Sequence, residues 1–183
     1  MQSPSPQLTA DMERIIATAQ DEAARRHGVY MDIEHLALAL LAQPDGPARD
    51  MLAQSGADSA AIYDAIASQI GIERSTRAEV KDLSREGKRA LSYALDVARS
   101  LGQSAVNSGH LLVALLESGE GVVRQAFAAS PLSAAAARDY LRDHPQAGAA
   151  PEPTARQQER TASPAEEAVE YVLVPTRAKR KPK

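Results

Sequence analysis

Asp32–Leu41 reads DIEHLALALL and Asn107–Leu116 reads NSGHLLVALL. The two phrases lie 75 residues apart, and the register between them holds well beyond the phrase itself. At that offset Leu8 falls on Leu83, Arg14 on Arg89, Ala19 on Ala94, Ala23 on Ala98, His35 on His110 and Leu36 on Leu111. Leu40 and Leu41 fall on Leu115 and Leu116, and Gly46, Arg49 and Asp64 on Gly121, Arg124 and Asp139. No gap is needed across about sixty residues, and a rare residue such as histidine stays in place. A register of that length marks an internal duplication.

Each copy reads as four helices. Thr9 is the N-cap candidate of the first, with Met12, Ile15, Ile16, Ala19 and Ala23 on one face at i, i+3, i+4 spacing. Ser84 opens its counterpart, which carries Leu91, Ala94, Leu95 and Ala98. The second helix starts after Asp32, or after Asn107, and Ile33, Leu36, Ala37, Leu40 and Leu41 form its apolar stripe. The third is short, from about Gly46 to Gln54, and Gly56 stops it. The fourth starts at Asp58 and carries Ile62, Ile66 and Ile70; in the second copy Gly121–Ser130 and Ser133–His144 fill these roles. Sixty residues with few large side chains make a marginal core. The two copies are therefore expected to pack on each other about a pseudo-twofold axis, giving an all-α fold with no strand in the body. The polar run GIERSTRAEVKD, Gly71–Asp82, reads as an exposed connector.

Composition narrows the chemistry. Aromatic content is 3% with a single phenylalanine, Phe127, so the core must come from Leu, Ile, Val and Ala. The absence of cysteine excludes disulfides, thiolate metal sites and cysteine nucleophiles. No run of 18 apolar residues is present, and the first residues lack the basic and apolar regions of a signal peptide, so a cytoplasmic location is expected. Residues 1–144 hold 14 Lys+Arg against 19 Asp+Glu. An acidic body argues against nucleic acid as its partner. The acids Asp21 and Glu22 are read as solvent-facing on the first helix. The expected divisions are a flexible start at 1–7, repeat one at 8–70, a linker at 71–82, repeat two at 83–144 and a disordered tail at 145–183. That tail is rich in Pro, Ala, Gln and Glu. It holds one apolar island, VEYVLVP at Val169–Pro175, which alternates like a strand or a docking peptide, and it ends in TRAKRKPK with five positive charges.

The duplicated frame, with EHL before the first leucine run and GHLL before the second, resembles the Clp N-terminal domain, or Clp repeat domain, of the Clp-type AAA+ ATPases. The resemblance covers about residues 8–144. It implies two tandem four-helix repeats that bind adaptor proteins or client polypeptides for a Clp ring. Clp ATPases continue into modules with G-x-x-x-x-G-K-[ST] phosphate loops. The one Gly-Lys pair here, Gly87-Lys88, has no glycine five residues upstream and no Ser or Thr after it. The expectation is a free-standing Clp repeat protein that is not an enzyme and needs no cofactor. Its expected partners are Clp ATPase or peptidase subunits, adaptors or clients, and no membrane.

In Clp ATPases of the C type, the acidic residue before the repeat histidine helps to hold the guanidinium of phosphoarginine. Glu34 matches that position and Gly109 does not. The resemblance thus offers Glu34, with Asp32, Val29, Tyr30 and Val106 near the helix starts, as a candidate peptide or phosphoarginine surface. The competing reading makes Glu34 an acidic first-turn residue favoured by the helix dipole. If Glu34 does read that mark, restoring the second carboxylate with Gly109→Glu should strengthen binding, provided that Gly109 has ordinary helical dihedrals that a side chain can adopt. His35 and His110, with Leu36 and Leu111 behind them, read as structural signature residues rather than as metal ligands or bases. An alternative function is a regulator that contacts nucleic acid through the basic tail while the repeats bind a protein.

Every duplicated position precedes Pro145. Truncation after His144 should leave a cooperative thermal unfolding transition; its loss would make the tail part of the fold.

Overall fold

The computed structural model describes residues 7–26, 29–70 and 82–145, and all of them belong to one compact unit. Eight helices appear among these residues: α1 (Ala10–Arg25), α2 (Ile33–Leu41), α3 (Pro47–Gln54), α4 (Ser59–Gln69), α5 (Arg85–Ser100), α6 (Ser108–Ser118), α7 (Gly121–Ala128) and α8 (Ala134–Asp143). The starts of α1 and α5, of α2 and α6, and of α4 and α8 keep the 75-residue offset of the sequence.

Local chemistry sets these boundaries. Ser84 Oγ accepts the Gly87 N–H at 3.0 Å, Asp58 Oδ1 those of Ala60 and Ala61 at 3.0 Å, and Ser133 Oγ that of Ala136 at 3.1 Å. Pro47 occupies the first turn of α3, and Gly56, at φ 73°, follows its end in the left-handed region.

The two repeats exchange parts. Four two-residue strands add to the helices: β1 (Gln7–Leu8), β2 (Tyr30–Met31), β3 (Asp82–Leu83) and β4 (Ala105–Val106). They form two parallel bridges, β1 on β4 and β2 on β3, each joining one repeat to the other. The Thr9 N–H donates to the Val106 carbonyl and the Ser84 N–H to that of Met31, both at 3.0 Å, at equivalent positions of the duplication. The body therefore does hold strands. Stretches of two residues are too short to show alternation in the sequence. Asp82, read as the end of the connector, begins β3. The third helices cross over as well: α3 packs on α6 and α8, and α7 on α2 and α4. Gly87 lets α5 approach the β2–β3 bridge, because a Cβ there would lie 2.8 Å from the Met31 carbonyl oxygen.

α2 and α6 form the centre. His35 through Leu41 and Ser108 through Leu115 are buried, as helices enclosed on all sides must be. Leu36 and Leu111 are fully buried in this core. Glu22, read as solvent-facing, is buried and bonded by Arg25 at 2.7 Å and Arg26 at 3.3 Å. The Arg26 guanidinium continues to the Ala67 and Ile70 carbonyls, tying the end of α1 to the end of α4. The connector before Asp82 (71–81), the island at Val169–Pro175 and the basic end lie outside the described residues.

Each repeat histidine closes the start of its helix. The Asp32 N–H donates to His35 Nδ1 at 3.0 Å, and the Asn107 N–H to His110 Nδ1 at 3.1 Å. A ring that accepts at Nδ1 is neutral with its proton on Nε2. Both Nε2 atoms are buried with no hydrogen-bond partner among the described residues. Burial holds both rings below the usual histidine range, His110 at about 4.

Protonation favours the unfolded chain between the two pKa values, so the histidine contribution is complete above about pH 6.5 and is lost as pH falls toward 4. His110 alone accounts for a loss on the order of 3 kcal/mol. Urea unfolding at pH 7.5, 6 and 5 should show falling stability, and a flat profile would contradict these protonation states.

Candidate peptide-binding surface

The first turn of α2 alternates its side chains between core and surface. Ile33 and His35 are buried, and Glu34 between them stays partly exposed. The β2–β3 bridge brings the start of α5 alongside, so that the charge of Glu86, in the first turn of α5, reaches the Glu34 carboxyl. Partial burial, with Asp32 and Glu86 nearby, holds the Glu34 carboxyl above its usual range. The two charges acting on it are both negative. A cation brought here would relieve that repulsion and gain charge-assisted hydrogen bonds. Val29 and Tyr30 lie just before Asp32 and are 43% and 52% exposed. The structure thus places Glu34, Asp32, Val29 and Tyr30 on one short segment with Glu86 across the bridge.

Val106 is different. It is 1% exposed, because its strand pairs with β1 and its side chain joins the core. It contributes to no surface site, and its counterpart Met31 is buried for the same reason.

The equivalent place in the second repeat is closed. Asp11, the counterpart of Glu86, turns its Oδ2 onto the Ser108 N–H at 2.9 Å, and Thr9 hydrogen-bonds to its other carboxylate oxygen. Ser108 Oγ accepts the Ala48 N–H at 3.3 Å, which brings α3 against the start of α6. A Cβ on Gly109 would lie 2.7 Å from Met51 Cε and 2.8 Å from Leu141 Cδ2. Gly109 is therefore where α3 and α8 close over the helix start, and no side chain fits there without displacing both. The expectation that a glutamate at this position would restore a second site does not survive this packing.

Sequence reading missed Asp11 and Glu86. Both are acids in the first turn of their repeat's first helix, related by the same offset, and that pairing was the available signal. Among the described residues no cluster of His, Cys, Asp or Glu suited to a metal ion occurs, and no helix is long and apolar enough to cross a membrane.

Gly109→Glu should destabilise the fold by about 3 kcal/mol or more, through overpacking and an unpaired buried charge. Glu34→Ala should change stability by less than about 1 kcal/mol. Chemical unfolding of the two variants checks the contrast, and equal effects would contradict it.

The sequence profile of the Clp repeat (R) N-terminal domain matches residues 7–130 and 82–169. The ATP-dependent Clp protease ATP-binding subunit ClpC of Staphylococcus epidermidis is 29% identical over 131 residues, which is 72% of this chain and 16% of that protein; ClpC of Staphylococcus aureus matches to the same extent. The chain thus spans about a sixth of the length of these relatives. Among solved structures, the N-domain of ClpV from Vibrio cholerae aligns with a TM-score of 0.59 at 21% identity, covering 76% of this chain and 83% of that one. The Hsp104 N-terminal domain from Candida albicans aligns at 0.58 with 15% identity, covering 73% and 88%. A ClpV N-domain in complex with a VipB peptide aligns at 0.59 with 22% identity, covering 76% and 85%. Duplication, exchanged packing and sequence match agree, and the chain belongs to the Clp repeat (R) N-terminal domain family.

Proposed function

We propose that this chain is a non-catalytic protein-binding module acting as an accessory or adaptor factor in Clp-dependent protein quality control and proteolysis, in the cytoplasm. Adaptors, client polypeptides or components of the Clp machinery are its partners. The observation that carries the reading is the acidic cluster at Glu34, where Asp32 and Glu86 add negative charge and, among the described residues, only Arg85 stands opposite Glu86, at 4.0 Å; it is open in the first repeat and sealed in the second. Binding of a VipB peptide by a ClpV N-domain supports a peptide-binding role for the same fold.

The chemistry favours an arginine-bearing segment. A planar guanidinium pairs with a carboxylate through two parallel N–H···O bonds; Glu34 would accept them, with Asp32 and Glu86 adding negative field. The start of α2 favours a phosphate attached to that guanidinium. Val29 and Tyr30 offer apolar contact to the residues beside it.

A phosphoarginine peptide titrated by calorimetry at low salt tests this. Glu34→Ala should weaken binding by about 1.5–3 kcal/mol, roughly ten- to a hundredfold. Unchanged affinity would leave Glu34 as a helix-start residue. A pull-down from cell extract should recover Clp subunits, and recovery of nucleic acid instead would favour a role for the basic end.

A further inference from the structure

A groove of about 300 Å³ runs between α4 and α7, and no residue of the start of α2 lines it. Asp58, Ile62 and Ala65 line one wall and Val122, Ala126 and Ala129 the other. The protein carries its own template for what belongs there, because the same face occurs a second time between α8 and α3.

In that second face Tyr140 stands where α4 has Ala65, Met51 where α7 has Ala126, and Gln54 where α7 has Ala129. Tyr140 lies partly buried across the gap. Its hydroxyl is 3.4 Å from Asp50 Oδ2 on α3, and its ring stacks on His144 with centroids 4.2 Å apart. Met51 is buried beneath. The second half thus fills the space between its helices with an aromatic ring and a thioether. The first half offers three methyl groups around an open groove, while Ile62 keeps the floor beneath it apolar and closed.

We propose that the α4–α7 groove is a second docking site, taking a segment of a partner polypeptide that supplies the missing pair. That pair is a tyrosine-like side chain lying beside an unbranched apolar one. An aromatic ring in an apolar slot with a polar rim is the kind of anchor that dominates binding energy. Charge narrows the occupant further. Asp58 is the one charged residue lining the groove, and Asp64 on the same helix is exposed. Asp58 uses Oδ1 to cap α4 through Ala60 and Ala61. A lysine or arginine flanking the aromatic residue therefore complements the rim. This site is separate from the surface at Glu34 and does not rest on it.

The test uses the full chain and two fluorescein-labelled peptides, Gly-Lys-Ser-Tyr-Met-Ser-Gly and the same peptide with Ala-Ala at its centre. Anisotropy should show saturable binding of the first and at least tenfold weaker binding of the second. Ala65→Tyr copies the residue of the other half into the groove. It should weaken binding at least tenfold without lowering the Tm, since position 65 is exposed. Ala129→Gln serves as the second variant should Ala65→Tyr fail to fold, with weakening again expected. Equal affinity for both peptides, absence of saturable binding, or affinity unmoved in the folded variants overturns the proposal. So does loss of binding in Glu34→Ala, which would put the peptide on the other surface. A dimer of this chain broken by Ala65→Tyr would assign the groove to a second copy and overturn it as well.

Discussion

Neither repeat can enclose its own central helix. α2 and α6 are apolar on nearly every side, and each needs cover that its own four helices do not supply. The two copies solve this by trading parts. α3 of the first covers α6 of the second, α7 of the second covers α2 of the first, and the β1–β4 and β2–β3 bridges pin the exchange at both ends. Every other feature follows from that shared core. The capping histidines sit where the central helices begin, so they are buried with them. The candidate surface and the groove both lie where one repeat meets the other.

Exchange also shows how the two helix starts come to differ in packing while keeping one architecture. At the start of α6, Asp11 reaches across and occupies the Ser108 N–H, while Met51 and Leu141 pack against Gly109. At the start of α2, the counterparts of Met51 and Leu141 are Ala126 and Ile66, and Glu34 retains a carboxylate that stays partly exposed. Ala126 in place of Met51 is the small-for-large difference at this helix start, and Ala65, Ala126 and Ala129 line the groove between α4 and α7. The second half, with Tyr140, Met51 and a closed Gly109, serves as the filled version of the same design.

Much of this was legible in the sequence. The 75-residue register, the helix caps at Asp58, Ser84 and Ser133, and the apolar stripes around Leu36 and Leu111 needed only periodicity and turn chemistry. The exchange did not show, because a two-residue bridge has no period and because cover of one helix by another is a long-range property. Val106 looked like a surface residue near a helix start until its pairing with Leu8 placed it inside. Glu22 looked solvated because its two arginines and the reach of Arg26 to α4 depend on tertiary packing. Gly109 read as a lost carboxylate. Its actual constraint, two side chains from α3 and α8 within 3 Å of where a Cβ would stand, is invisible without coordinates.

The central claim is that one repeat presents an open site for a guanidinium-bearing segment and the other has sealed its own. The stoichiometry of a short phosphoarginine peptide that lacks aromatic residues tests it most directly, measured by calorimetry with backbone NMR to locate the contact. The structure predicts one molecule per chain, with shifts confined to the segment from Val29 to Glu34 and the start of α5. Two equivalent sites, or a single one at Asn107–His110, would contradict it.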